Sequence, residues 1–80
     1  MKLNRYDIIV LRTALGLTQR QLGFLIDKTP EYISMIENGK KPLTGNVQEL
    51  IADRLKVDDE VLLAVRMLSN RLKELENKGN

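Results

Sequence analysis

The sequence predicts an all-α fold of five helices, the fifth extended at the C-terminus. Three observations carry that prediction. Apolar residues recur three and four positions apart along most of the 80-residue chain. Asn4, Thr18, Thr29 and Asp58 stand as N-caps ahead of four of these runs. The last run is a heptad-like seam, with Val61, Val65, Leu68, Leu72 and Leu75 alternately four and three apart.

The first helix is expected from Arg5 to Leu15, with Asn4 as N-cap and Gly16 as its stop. Ile8, Leu11 and Leu15 form its core stripe, and Arg12 falls on the same side. Ile9, Val10 and Ala14 lie off the stripe. The second helix runs from Gln19 to Ile26 behind the N-cap Thr18, with Leu22 and Ile26 on one face. Asp27 tolerates the left-handed backbone that ends many helices. Thr29 then caps a third helix, and Pro30 fits its first turn, where a missing N–H costs nothing. Ile33 and Ile36 face back toward the second helix, and Asn38-Gly39 closes the unit. Two short helices joined by so tight a turn make a helix-turn-helix, spanning residues 18–38.

Lys40-Lys41-Pro42-Leu43-Thr44-Gly45 reads as loop. A fourth helix is expected from Asn46 to Leu55, with Val47, Leu50, Ile51 and Leu55 inward. Lys56 stands where a Gly would commonly end it, so a different cap is expected there. Asp58 caps the fifth helix, and Asp59 and Glu60 suit its positive end. That helix is expected to reach about Asn77, and Lys78-Gly79-Asn80 to fray. Its seam outlasts the core available to it, which points to a homodimer through Val61, Val65, Leu68, Leu72 and Leu75. Arg71 and Glu76 are placed to bridge between two parallel chains. The competing reading folds this helix onto Phe24 and Leu25, two adjacent large apolar residues that need covering by the C-terminal helix or by a partner subunit. Residues 1–57 are thus expected to form a helix-turn-helix domain, and 58–80 an amphipathic helix continuous with it.

Composition bounds the chemistry. One domain with a small core fits this length. With no Cys and no His, disulfides, thiol nucleophiles and the commonest metal ligand and general base are excluded. There is no Gly-rich phosphate loop, no nucleophile–base pair and no metal-ligand cluster, so no enzyme, cofactor or metal is expected. No run approaches the length of a membrane span, and no apolar leader opens the chain, so a cytoplasmic protein is expected. Net charge is +2, unevenly spread: residues 1–45 hold seven Lys/Arg against four Asp/Glu, residues 46–80 six against seven. The basic front half suits a polyanion.

Arg12, Leu17-Thr18-Gln19, Leu22, Ile26, Ile33-Ser34, Ile36-Glu37-Asn38-Gly39-Lys40 and Pro42 together resemble the phage-repressor and Cro-like helix-turn-helix family, often called the Xre family. The likeness covers about residues 4 to 63. It implies a repressor-like fold that binds double-stranded DNA, with the third helix in the major groove. It also implies a buried ion pair between Arg12 and Glu37. By the same resemblance Lys28, Thr29, Pro30, Glu31, Tyr32, Ser34 and Met35 face the groove, and Gln19 clamps a phosphate. Thr18, Arg20, Asn38, Lys40 and Lys41 support it. This chain departs from the family in several places. Gly23 stands where Ala is usual, Phe24 and Leu25 where charged residues are usual, and the loop after the third helix is one residue longer. Pro30 and Glu31 occupy positions that often carry Gln, Asn, Ser or Arg. A Glu there accepts from the cytosine N4 amine, Met35 suits a thymine methyl, and Tyr32 reaches a phosphate or the sugar backbone. The expected role is a dimeric repressor on a near-palindromic operator. The alternative is a helix-turn-helix scaffold that acts mainly through a protein partner, as an antitoxin or antirepressor does.

Overall fold

The computed structural model describes residues 2–78. Five helices occur among them: α1 (Arg5–Ala14), α2 (Gln19–Leu25), α3 (Pro30–Glu37), α4 (Gly45–Arg54) and α5 (Asp59–Lys78). Lys78, expected to fray, is instead the last residue of α5, while Gly79 and Asn80, expected to fray with it, lie outside the described residues.

The caps explain the boundaries. At α1, Asn4 accepts from the Asp7 N–H while the Asp7 carboxylate accepts from the Asn4 N–H, a complete capping box. Thr18 and Gln21 make the same reciprocal pair at α2. Thr29 caps α3 and Thr44 caps α4, so α4 begins at Gly45, inside the stretch expected to be loop. The Val61 N–H donates to the Asp58 carboxylate at the start of α5.

Helices α1 to α4 all end alike. The residue after the C-cap adopts a left-handed backbone, at Gly16 (φ 71), Asp27 (φ 59), Gly39 (φ 74) and Lys56 (φ 55). The next N–H then reaches back to the third-last carbonyl: Leu17 to Arg12, Lys28 to Gly23, Lys40 to Met35 and Val57 to Ala52. Lys56 therefore corrects the expectation of a different cap. The Schellman motif forms there without glycine, held by the burial of Val57 immediately after it. Three of the reversals have one plan: C-cap, left-handed residue, one further residue, N-cap. They are Leu15 to Thr18, Ile26 to Thr29 and Leu55 to Asp58. Only the α3–α4 connection is longer, from Asn38 to Thr44.

Ile8 and Leu11 of α1, Leu22 and Ile26 of the α2 region, Ile33 and Ile36 of α3, and Val47 and Ile51 of α4 meet in one core. Leu15 does not join it as expected. The helix has already ended at Ala14, and Leu15, its C-cap, is 52% exposed. Leu3 takes part instead, packing from in front of the Asn4 cap, where a staple to Ile8 is favourable.

Helix α5 packs along α1. Val65 is buried in the core, Val61 and Leu72 are half-buried, and Leu68 and Leu75 point outward at 60% and 59% exposure. The heptad seam is thus split between this domain and solvent, and Val65 is not free to meet a partner. Ser69 turns inward as well, because Asp7 lies beneath it. Asp7 is completely buried (0% exposed) and its carboxylate is fully used. It accepts from Ser69 Oγ at 2.5 Å, from Arg66 Nε at 3.1 Å and from Arg66 Nη2 at 3.0 Å. A buried carboxylate is tolerated only when so paired, and this set fixes the register of α5 on α1. Because α5 lies on α1, it leaves Phe24 uncovered. Phe24 is 82% exposed, so of the two covers expected for it, the C-terminal helix or a partner subunit, the first is corrected; its neighbour Leu25 is half-buried against the core.

Candidate nucleic-acid interface

The turn between α2 and α3 is built around Gly23. The Lys28 N–H donates to its carbonyl at 2.8 Å, and a Cβ placed on Gly23 would stand 2.5 Å from the Lys28 carbonyl oxygen. Only glycine lets the turn close this tightly. Pro30 is the first residue of α3, where its absent N–H is not missed.

Ile33, Ile36 and Glu37 bury the back of α3, so its orientation is set from behind. Glu37 is the polar anchor. Arg12 donates to its carboxylate twice, Nε to Oε2 at 2.7 Å and Nη2 to Oε1 at 3.0 Å. Arg12 Nη1 also reaches the Leu17 carbonyl at 2.8 Å, tying α1 to the entry of α2. Gln19 Nε2 completes the set, donating to Glu37 Oε1 at 3.1 Å. Arg5 secures the end of α3 through the Glu37 carbonyl at 2.7 Å and also pairs with Glu76 at 2.8 Å. Glu76 is therefore engaged by its own chain, although the heptad placed it for a bridge between chains; Arg71 stays exposed.

The outer side of α3 is what remains. Glu31, Met35 and Asn38 are exposed along one edge. Ser34 is half-buried, its Oγ accepting from Asn38 Nδ2 at 3.3 Å. Pro30 is half-buried and the Thr29 hydroxyl is occupied in capping. Tyr32 is half-buried on the flank, with Lys28 Nζ 5.1 Å and Lys41 Nζ 5.2 Å from its ring centroid. Lys40 is exposed in the same loop as Lys41. Arg20 stands apart, lining an apolar groove with Leu17, Phe24 and Leu25 on the outer face of α2.

A helix-turn-helix family model matches residues 8–62, from the second turn of α1 into the first turn of α5. This chain belongs to the helix-turn-helix family of the phage-repressor and Cro-like (Xre) type. No curated protein and no solved structure matches it.

As a member of this family the helix-turn-helix protein is a DNA-binding regulator. No helix among its described residues is long and apolar enough to cross a membrane. Two features of it escaped sequence reasoning. The Asp7–Arg66–Ser69 set joins residues about 60 positions apart and lies wholly outside the matched region. Only the Asn4-to-Asp7 spacing, a capping-box signature, marked Asp7 at all. The grouping of Lys28, Tyr32 and Lys41 across α3 left no periodic signal.

Proposed function

We propose that this helix-turn-helix protein is a sequence-specific repressor acting in the cytoplasm, bound as a homodimer to a near-palindromic duplex. The observation that carries the reading is the outer edge of α3. Glu31 and Met35 are exposed there while Ile33, Ile36 and the Arg12–Glu37 pair hold the helix from behind. Glu31 accepts from a cytosine amine, Met35 meets a thymine methyl, and Ser34 and Thr29 lie beside them. Thr18, Gln19, Arg20, Asn38, Lys40 and Lys41 supply backbone contacts. Gln19 keeps one amide N–H on Glu37 and has a second for a phosphate. Leu68 and Leu75, outward on α5, form the contact between protomers together with the exposed Leu63 and Met67.

Selection from a random duplex pool, followed by binding titrations over a salt series, tests this. The expected result is two inverted half-sites about 34 Å apart, with affinity falling steeply between about 50 and 200 mM salt. Glu31→Gln is expected to change the preferred base at one position per half-site. Equal affinity for every duplex would sink the reading. Phe24 favours the second reading, a protein partner on α2, because it is exposed beside the groove formed by Leu17 and Leu25. A partner whose capture is lost in Phe24→Ser, with duplex affinity unchanged, would support it.

A further inference from the structure

Base reading leaves one arrangement on the flank of α3 unused. Lys28 ends the turn before the helix and Lys41 belongs to the loop after it, yet both ammonium groups stand just over 5 Å from the ring of Tyr32. Two like charges separate when free to do so, and the negative face of an aromatic ring is what holds cations near it. The bases of all three side chains are fixed. The Tyr32 ring packs on the core and its N–H donates to Thr29 Oγ1 at 3.1 Å. The Lys28 N–H bonds the Gly23 carbonyl at 2.8 Å, and the Lys41 N–H bonds the Met35 carbonyl at 3.2 Å.

Helix geometry separates this cluster from the reading edge. Successive residues turn by about 100°, so Met35 stands only about 40° round from Glu31, with Tyr32 about 60° beyond Met35 on one flank and Ser34 about 60° beyond Glu31 on the other. A helix seated in a groove turns its edge to the bases and its flanks to the phosphate backbones on either side. Building on the DNA-binding reading above, we propose that Lys28, Tyr32 and Lys41 form a single dicationic clamp on the phosphate backbone. Tyr32 is its positioning residue. Base discrimination then falls to the exposed edge of Glu31 and Met35, and none of the three clamp residues takes part in it.

The test compares wild type with Lys28→Met, Lys41→Met, Tyr32→Phe and Tyr32→Leu, using the preferred duplex, a scrambled duplex and a salt series. Circular dichroism checks each fold. Each lysine variant is expected to reduce the slope of log affinity against log salt by about one, with the preference between the duplexes unchanged. Tyr32→Phe keeps the ring and is expected to bind like wild type. Tyr32→Leu is expected to weaken both duplexes equally, by about threefold. A lysine variant that alters the preference would overturn the clamp, as would Tyr32→Leu binding at wild-type strength. Should Tyr32→Leu fail to fold, the two lysine slopes decide. A wild type that binds no duplex takes the DNA-binding reading down and the clamp with it. A wild type that binds while every variant matches it overturns the clamp alone.

Discussion

Arg12 and Glu37, 25 positions apart, close on each other through two parallel hydrogen bonds of 2.7 and 3.0 Å. Both side chains are largely withdrawn from solvent. Such a pair fixes geometry more than it adds stability, and its one-sided loss strands a buried charge. Glu37→Gln is expected to cost about 3 kcal/mol in urea denaturation. Arg12→Met combined with Glu37→Met is expected to cost less than the two single changes added together. Strict additivity would show that the pair is not coupled.

Asp7 is the corresponding anchor between α1 and α5. Asp7→Ala removes half of a capping box and strips Arg66 and Ser69 of their carboxylate, leaving them only the Lys2 and Arg66 carbonyls. A loss of about 3 kcal/mol is expected, with amide exchange rising first along α5. Uniform acceleration across all five helices would mean that α5 is not separately held through Asp7.

Lys56 is a non-glycine residue at φ 55. The left-handed region costs a side-chain-bearing residue roughly 1–2 kcal/mol, partly offset by the extra freedom that glycine has in the unfolded chain. Lys56→Gly is therefore expected to stabilise by about 0.5 kcal/mol, raising the thermal midpoint by about 3 °C. A lowered midpoint would show that the lysine side chain contributes something its backbone geometry does not reveal.

Gly23→Ala sets two effects against each other. Alanine gains about 1 kcal/mol of helix propensity, but its Cβ meets the Lys28 carbonyl oxygen at 2.5 Å. Backbone cannot yield as a flexible side chain does, so the clash wins. A net loss of about 1–2 kcal/mol is expected, seen as a lower denaturation midpoint. A neutral result would mean that the turn has room to open.

Leu68→Asp with Leu75→Asp separates association from folding, because both residues point away from α1. Sedimentation equilibrium is expected to show a wild-type dimer and a folded monomeric variant. A wild type that is already monomeric removes α5 as an interface between chains.

Helix boundaries were the legible part of this fold, because caps are local. Asn4, Thr18, Thr29 and Asp58 announce the starts of four helices, and Gly16, Asp27 and Gly39 the ends of three. Thr44 was missed because Pro42 and Gly45 on either side read as loop. The division of α5 into a buried and an exposed half was not legible. A heptad pattern says which residues share a stripe, not whether that stripe faces its own domain. Val65 faces inward one turn before Ser69, which bonds a carboxylate at Asp7, 62 positions away. The groove-facing positions came from family likeness, and the buried back of α3 at Ile33 and Ile36 came from spacing. The gathering of Lys28 and Lys41 around Tyr32 depends on where a loop lies, and spacing carries no trace of that.

The three equal reversals give the molecule the character of a linkage. From α1 to α3, and again from α4 to α5, each joint is a single left-handed residue and one more, too short to flex without breaking a cap. The one longer joint, from Asn38 to Thr44, is pinned at both ends as well, by the Lys40 and Lys41 N–H groups on the Met35 carbonyl and by Thr44 on the Val47 N–H. Helix α3 is thus geared directly to α2 and only through this longer arm to α4, and the arm carries Lys40 and Lys41. An added residue between Pro42 and Leu43 would therefore leave every helix end and cap in place, as no other joint of the molecule allows.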